Sequence, residues 1–192
     1  MGVEFEVKFR ATPEILQQLD EQVDGLRQGY RMETTYYDTP SGALSQRHYT
    51  LRTRMENDVA VCTLKTPIQG GRGEWELECD DIHTAIPELC KLGAPEDLPS
   101  ITAEGLMVVC GARFYRIAKT VVLNNCTVEL ALDQGVLIGG GKEQPLCEVE
   151  VELKSGDFQY CVAYAQQLAI AYGLEQETKS KFRRALALYK GE

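Results

Sequence analysis

Carboxylates recur at every second position in two tracts of this chain: Glu4-Phe5-Glu6-Val7-Lys8 near its start, and Glu148-Val149-Glu150-Val151-Glu152-Leu153-Lys154 far downstream. Bases recur in the same way, with Arg52 and Arg54 in Tyr49-Thr50-Leu51-Arg52-Thr53-Arg54 and Lys65 closing Val61-Cys62-Thr63-Leu64-Lys65. Glu74, Glu76 and Glu78 alternate with Trp75 and Leu77, Glu129 and Asp133 share a tract with Ala131, Arg113 and Arg116 precede an apolar stretch, and Lys181 opens the last helical one. Paired carboxylates bind hard divalent cations such as Mg²⁺ or Mn²⁺ through oxygen. Arg and Lys grip phosphate oxygens, Arg with two donors at once. Acids and bases gathered in one wet pocket therefore suit a metal-bridged polyphosphate.

The spacing names the element that must carry these groups. Strand side chains alternate between faces, so an alternating tract sends every charge one way and every apolar group the other. Burying the charged face dry would cost several kcal/mol per ion, so it must meet water, metal or ligand. The pattern predicts strands near 3–9, 29–37, 48–56, 59–66, 73–79, 112–122, 126–133 and 146–153. Turn signals at Glu56-Asn57-Asp58, Gln69-Gly70-Gly71, Asn124-Asn125 and Gly139-Gly140-Gly141 separate several of them. Helices are expected near 13–24, 84–92, 100–110, 157–172 and 180–189, with Thr12 as N-cap before Pro13 and Asp157 as cap of the long one. Short linkers leave residues 1–192 as a single domain. The fold class expected is α+β: a closed eight-stranded antiparallel β-barrel with a polar lumen, and helices packed outside.

Composition narrows the function classes. The chain has 192 residues, of which 44% are hydrophobic and 26% charged, ordinary for a folded domain. A net charge of −9 argues against general nucleic-acid binding. No apolar run approaches the ~20 residues that span a bilayer, and the start MGVEFEVKFR lacks a secretory apolar region. Seven cysteines without a CxxC pair read as free buried thiols in a reducing cytoplasm. His48 and His83 have no metal spacing, no GxxxxGK[ST] loop occurs, and nothing supports a Ser-His-Asp or Cys-His machine. Side chains, then, must cradle any phosphate.

Glu4-x-Glu6-x-Lys8, Tyr36-Tyr37-Asp38-Thr39, Leu51-Arg52-x-Arg54, Leu64-Lys65, Glu74-Trp75-Glu76, Glu129-Leu130-Ala131-Leu132-Asp133 and Glu148-Val149-Glu150-Val151-Glu152-Leu153, in that order, resemble the motif set of the CYTH superfamily, the triphosphate tunnel metalloenzymes. The likeness runs from about residue 3 to 190. Cys147–Asp157 and Lys179–Ala185 are most similar to bacterial inorganic triphosphatases. The resemblance implies an eight-stranded tunnel around a small-molecule triphosphate and Mg²⁺ or Mn²⁺. It implies phosphate contacts from Lys8, Arg52, Arg54, Lys65, Lys181 and either Arg113 or Arg116, with Glu76 orienting these cations. Metal ligands would come from Asp133 and from two of Glu148, Glu150 and Glu152. Glu4 and Glu6 would bind a second metal or orient the attacking water, so that Glu4, Glu6 and Lys8 form the catalytic set. The activity expected is hydrolysis of inorganic triphosphate to diphosphate and phosphate. Alternatives are thiamine triphosphate hydrolysis, ATP cyclisation, or triphosphate or nucleotide binding without turnover. Neither nucleic acid nor membrane is an expected partner, and a monomer or homodimer is.

Overall fold

Thr12 accepts a hydrogen bond from the Ile15 amide and Pro13 takes the first helical position, so the first helix starts where the sequence signals it. The computed structural model describes residues 2–69 and 71–192, with side chains from residue 5 onward. In chain order the elements begin with β1 (Gly2–Glu4), β2 (Glu6–Arg10), α1 (Pro13–Gln22), β3 (Leu26–Asp38) and α2 (Ala43–Gln46). β4 (Thr50–Glu56), β5 (Val59–Ile68), β6 (Gly71–Glu78), α3 (Ile82–Lys91) and α4 (Leu98–Ile101) follow. A 3₁₀ turn at Thr102–Glu104 leads into β7 (Met107–Val122), β8 (Cys126–Gly139), β9 (Lys142–Gly156), α5 (Phe158–Tyr172), β10 (Glu175–Gln176) and α6 (Lys181–Lys190). The turn expected at Gln69-Gly70-Gly71 includes Gly70, which lies outside the described residues.

All ten strands join one antiparallel sheet of order β1-β6-β5-β4-β3-β7-β8-β9-β2-β10. The order has two ends, which corrects the expectation of a closed eight-stranded barrel. The amino-terminal tract, expected as one strand, divides at Phe5: Gly2–Glu4 pairs with β6, and Glu6–Arg10 pairs with β9. Among the described residues β2 is not paired with β6; its other edge is joined at Phe9 and Arg10 by β10. The sheet is nevertheless strongly curved, since strands from β2 round to β6 line one cavity.

The two sheet faces separate as the alternation requires. On the outer face, Leu130 and Leu132 of β8 and Val149 and Val151 of β9 pack beneath α1 (Leu16, Leu19) and α5 (Cys161, Ala165, Leu168). A second outer core sets Leu51, Leu64 and Trp75 under α3 and α4 through Ile86, Leu89 and Leu98. Each such leucine, fully buried, contributes roughly 1.5–3 kcal/mol. The helix expected over 100–110 is only α4 and the 3₁₀ turn. Gly105, at φ +99°, ends it, and β7 starts at Met107 with the β-branched pair Val108-Val109 next.

One helix is not outside. Phe182 and Ala185 of α6 pack on Met32, Tyr36, Phe114, Leu137 and Leu146, which lie on the concave face. A Cβ at Gly139 would stand 2.3 Å from the Ala185 carbonyl oxygen, so glycine there lets the helix backbone rest on β8. α6 thus closes part of the concave side and brings Lys181 to the charged residues.

Candidate active site

The concave face encloses a cavity of about 290 Å³. Among the described residues, eight bases and seven acids line it beside only six uncharged residues, a composition for a charged, hydrated ligand. β2 supplies Glu6 and Lys8, while Phe5 stacks on Phe158 at 4.0 Å between ring centroids and Phe9 is buried. The Lys8 ammonium donates to Glu6 at 2.9 Å. Burial lowers the Lys8 pKa, but the Glu6 carboxylate outweighs it and holds the ammonium above its ordinary value. Glu4 belongs to the expected catalytic set, but its side chain lies outside the described residues.

Register sets the acidic wall. Glu6 stands opposite Glu152, and Glu152 opposite Glu129, so three carboxylates form a row across β2, β9 and β8. Like charges directly opposite one another repel. Lys8 beside Glu6 and Lys154, 3.1 Å from Glu152, partly offset this.

The opposite wall is basic. Arg52 and Arg54 of β4 and Lys65 of β5 reach the cavity, joined by Arg72 of β6. Lys65 lies 3.2 Å from Glu74, and Arg54 donates to Thr34 at 3.2 Å. Arg52 is 8% exposed, and its Nε has no acceptor among the described residues. Among the described residues its ion-pair partner is Glu74, with a carboxylate oxygen 3.9 Å from Nη2. Glu76 stands across β5 from Arg52 by way of Thr63; burial and the neighbouring Glu74 push its carboxyl up.

Behind the floor lies a charge cluster that alternation alone does not distinguish from the wall. Asp133, Glu148 and Glu150 each bring a carboxylate oxygen within 4.8 Å of the others, close enough to share one cation. Arg116 clasps Asp133 with two bonds of 2.7 Å and reaches Glu150 at 2.5 Å. The Lys181 ammonium lies 2.8 Å from Asp133 and 2.7 Å from Glu150, and donates to Glu148. Arg184 donates to the other oxygen of Glu148. Asp133 and Glu148 are fully buried and do not line the cavity, whereas Glu150 does. Burial lowers the Lys181 pKa, but the three carboxylates around its ammonium reverse that and hold it high. Burial drives the Glu148 carboxyl up to about 7 against the pull of Lys181, with Glu150 beside it adding to the rise.

Of the residues expected from sequence, the cavity therefore gathers Glu6, Lys8, Arg52, Arg54, Lys65, Glu76, Arg116, Glu150, Glu152 and Lys181. Arg113 does not join them. Three residues from Arg116 along one strand, it points to the other face, 59% exposed and 3.0 Å from Glu143. Asp133 and Glu148, expected as metal ligands, sit one layer deeper, against Lys181, Arg116 and Arg184. Tyr36-Tyr37-Asp38-Thr39 has a positioning use: buried Asp38 accepts from the amides of Thr39, Leu44 and Ser45, holding α2 beside β4. Arg72, Glu56 and Lys154 line the cavity without having been singled out; extending the period-2 pattern one step along β6, β4 and β9 finds each of them. Glu177, which accepts from Arg10 at 2.8 Å and lies 3.8 Å from Arg184, carries no local signal at all.

Comparison with known proteins agrees with this geometry. The family model described as CYTH domain matches residues 2–186. The chain is 31% identical to an inorganic triphosphatase of Haemophilus influenzae over 96% of its own length and 54% of that protein's. To human thiamine-triphosphatase it is 27% identical over 86% of its length and 68% of the relative's. It thus spans about half of the bacterial relative. Among solved structures, Hippeastrum HpAC1, described as having a dominant triphosphatase activity, superposes at TM-score 0.68 and 20% identity, covering 100% of this chain and 96% of that one. PH1819 of Pyrococcus horikoshii superposes at TM-score 0.62 and 22% identity, covering 97% and 99%. With the family match spanning nearly the whole sheet and every strand that lines the cavity, the chain belongs to the CYTH-domain family.

Proposed function

We propose that the cavity binds inorganic triphosphate together with a divalent cation and hydrolyses it to diphosphate and phosphate. The observation that carries this reading is Arg52, a buried guanidinium whose Nε has no acceptor among the described residues, set in a basic wall across from the carboxylate row. A buried donor left without a partner costs about 1–3 kcal/mol, and a phosphate oxygen would recover it.

Arg52, Arg54, Lys65, Lys8 and Arg116 would share the phosphate oxygens, spreading the charge of the transferring phosphoryl group. Glu6, Glu129, Glu150 and Glu152 present oxygen donors that fit Mg²⁺ or Mn²⁺, and such an ion would add neutralisation of phosphate charge. Glu6 would orient the attacking water and receive its proton. The water oxygen bonds to the terminal phosphorus as the bond to the bridging oxygen breaks, and diphosphate leaves. Arg116, fixed by Asp133 and Glu150, and Lys181, fixed by Asp133, Glu148 and Glu150, would keep positively charged donors in place at the floor.

A second reading, with thiamine triphosphate as substrate, is favoured by the likeness to the human protein. One assay tests both: phosphate release from triphosphate, thiamine triphosphate, ATP and diphosphate, with Mg²⁺, Mn²⁺ or a chelator. Triphosphate is expected to be turned over fastest and the chelator to abolish release. No release from triphosphate with either ion would overturn the reading.

A further inference from the structure

A second cavity of about 900 Å³ adjoins the first. Glu6, Lys8, Thr50, Arg72, Ser180 and Phe182 line both, so the two are continuous. Its wall includes Arg72, Lys179, Arg183 and Lys190, none of which has a carboxylate within 4.0 Å among the described residues. Across the described chain only Arg31, Arg47 and Lys142 share that condition. Four of seven unpaired bases thus converge on one cavity of a protein with net charge −9, and among the described residues its lining carries two carboxylates, Glu6 at the junction and Glu192.

Their placement follows from α6. Arg183, Leu186, Ala187 and Lys190 fall at i, i+3, i+4 and i+7, one face of the helix, while Lys181 on another face reaches the floor of the first cavity. From Arg183 to Lys190 this face runs roughly 10 Å, longer than one phosphoryl group. The apolar side chains between the bases lower the local dielectric and strengthen their field on an anion.

We propose that this second cavity extends the substrate site and takes the phosphates beyond the third of a linear polyphosphate, with Arg72 at the junction and Lys179, Arg183 and Lys190 along the extension. The inference rests on the triphosphatase reading above. It makes this chain act on the ends of longer polyphosphates and prefer them to triphosphate.

The test uses the full chain, with Lys179→Glu and Arg183→Glu, both exposed positions outside the first cavity, and Arg31→Glu as a control with the same charge change elsewhere. Hydrolysis with Mg²⁺ or Mn²⁺ is measured on triphosphate, tetraphosphate, long-chain polyphosphate and ATP. Binding of the same compounds is measured by calorimetry with a chelator present. KM per chain should fall with length in the wild type. Each cavity variant should raise KM and Kd for the long chain by about tenfold, the loss of one charge-assisted hydrogen bond. The triphosphate constants should hold within about twofold, and Arg31→Glu should change neither. Equal losses for triphosphate and long chain, or no dependence on length, would overturn the proposal. So would losses confined to ATP, which would give the cavity to an organic group. If nothing is hydrolysed, the triphosphatase reading falls, and length-dependent binding lost in the variants still decides for the extension.

Discussion

Glu6 and Glu152 stand directly opposite one another on β2 and β9, and both face the cavity. A like-charged pair in this position destabilises a sheet unless a cation lies between or beside its members. Lys8 and Lys154 serve Glu6 and Glu152 from within the protein. A divalent ion would serve both together.

Glu6→Gln and Glu152→Gln should each therefore lower triphosphate turnover by at least about a hundredfold, the scale of a lost proton-transfer or charge-stabilising group. The fold should survive, because Phe5, Val7, Val151 and Leu153 carry the packing on the other face. Thermal shift with Mn²⁺ provides a second reading: the ion should raise the Tm of the wild type and raise that of the double variant far less. Unchanged turnover and an unchanged Mn²⁺ shift would remove this row from the site.

Arg52→Ala should weaken triphosphate binding by ~1.5–3 kcal/mol, since the charged donors it removes find their best acceptor only on the ligand. Stability without ligand should change little, because the Arg52 Nε has no acceptor to lose among the described residues. Calorimetric titration and denaturant unfolding of both proteins check the two halves. Equal affinity would mean that this guanidinium does not touch substrate.

Much of this site was legible because strand periodicity is simple. Glu6, Lys8, Arg52, Arg54, Lys65, Glu150 and Glu152 all reached one face, as alternation demands. The same rule decides between Arg113 and Arg116 once β7 fixes which face is concave. Alternation gives the face of a residue and not its depth. Glu148 and Glu150 read identically in sequence, yet α6 crosses the concave face at the end of β9 that holds Leu146, and buries Glu148 beneath it. The open sheet was equally hidden, because the division at Phe5 is made by pairings far apart in sequence (Glu4 with Arg72, Glu6 with Glu152), and β10 meets β2 through Glu175 with Arg10 and Gln176 with Phe9. No local pattern encodes such a choice.

Glu148→Leu separates a structural carboxylate from a metal ligand. In the structure Glu148 accepts from Lys181 and Arg184 and is fully buried. Removing it leaves two cations short of an acceptor, which costs about 3–5 kcal/mol when a buried pair is broken from one side. Denaturant unfolding should show a loss of that size with or without Mg²⁺. A variant as stable as the wild type that has lost only its affinity for the ion would place Glu148 among the metal ligands instead.

The last prediction follows from Glu177, which ties three parts of the chain together. Its carboxylate accepts from Arg10 on β2 at 2.8 Å and from the Lys179 amide at 2.8 Å, lies 3.8 Å from Arg184 on α6, and is almost wholly buried. Burial raises its pKa, but the hydrogen bonds from Arg10 and Lys179 outweigh this and set it below the ordinary 4.5. A carboxyl whose folded pKa is depressed stabilises the fold fully above its unfolded value, and that contribution fades as pH falls through the folded one. Glu177→Gln should therefore lower Tm by roughly 3–12 °C at pH 7, from a charged hydrogen bond of ~1.5–3 kcal/mol in a chain of this size. Below pH 4.5 the gap between wild type and variant should narrow steadily. Because Glu177 holds Arg184, and Arg184 holds Glu148 against Lys181, the variant should also lower kcat for triphosphate more than it raises KM. Melting curves from pH 3 to 7 with paired kinetics decide the matter: a Tm gap independent of pH would show that the charge of Glu177 contributes nothing, and its place in the chain of contacts to Lys181 would be lost with it.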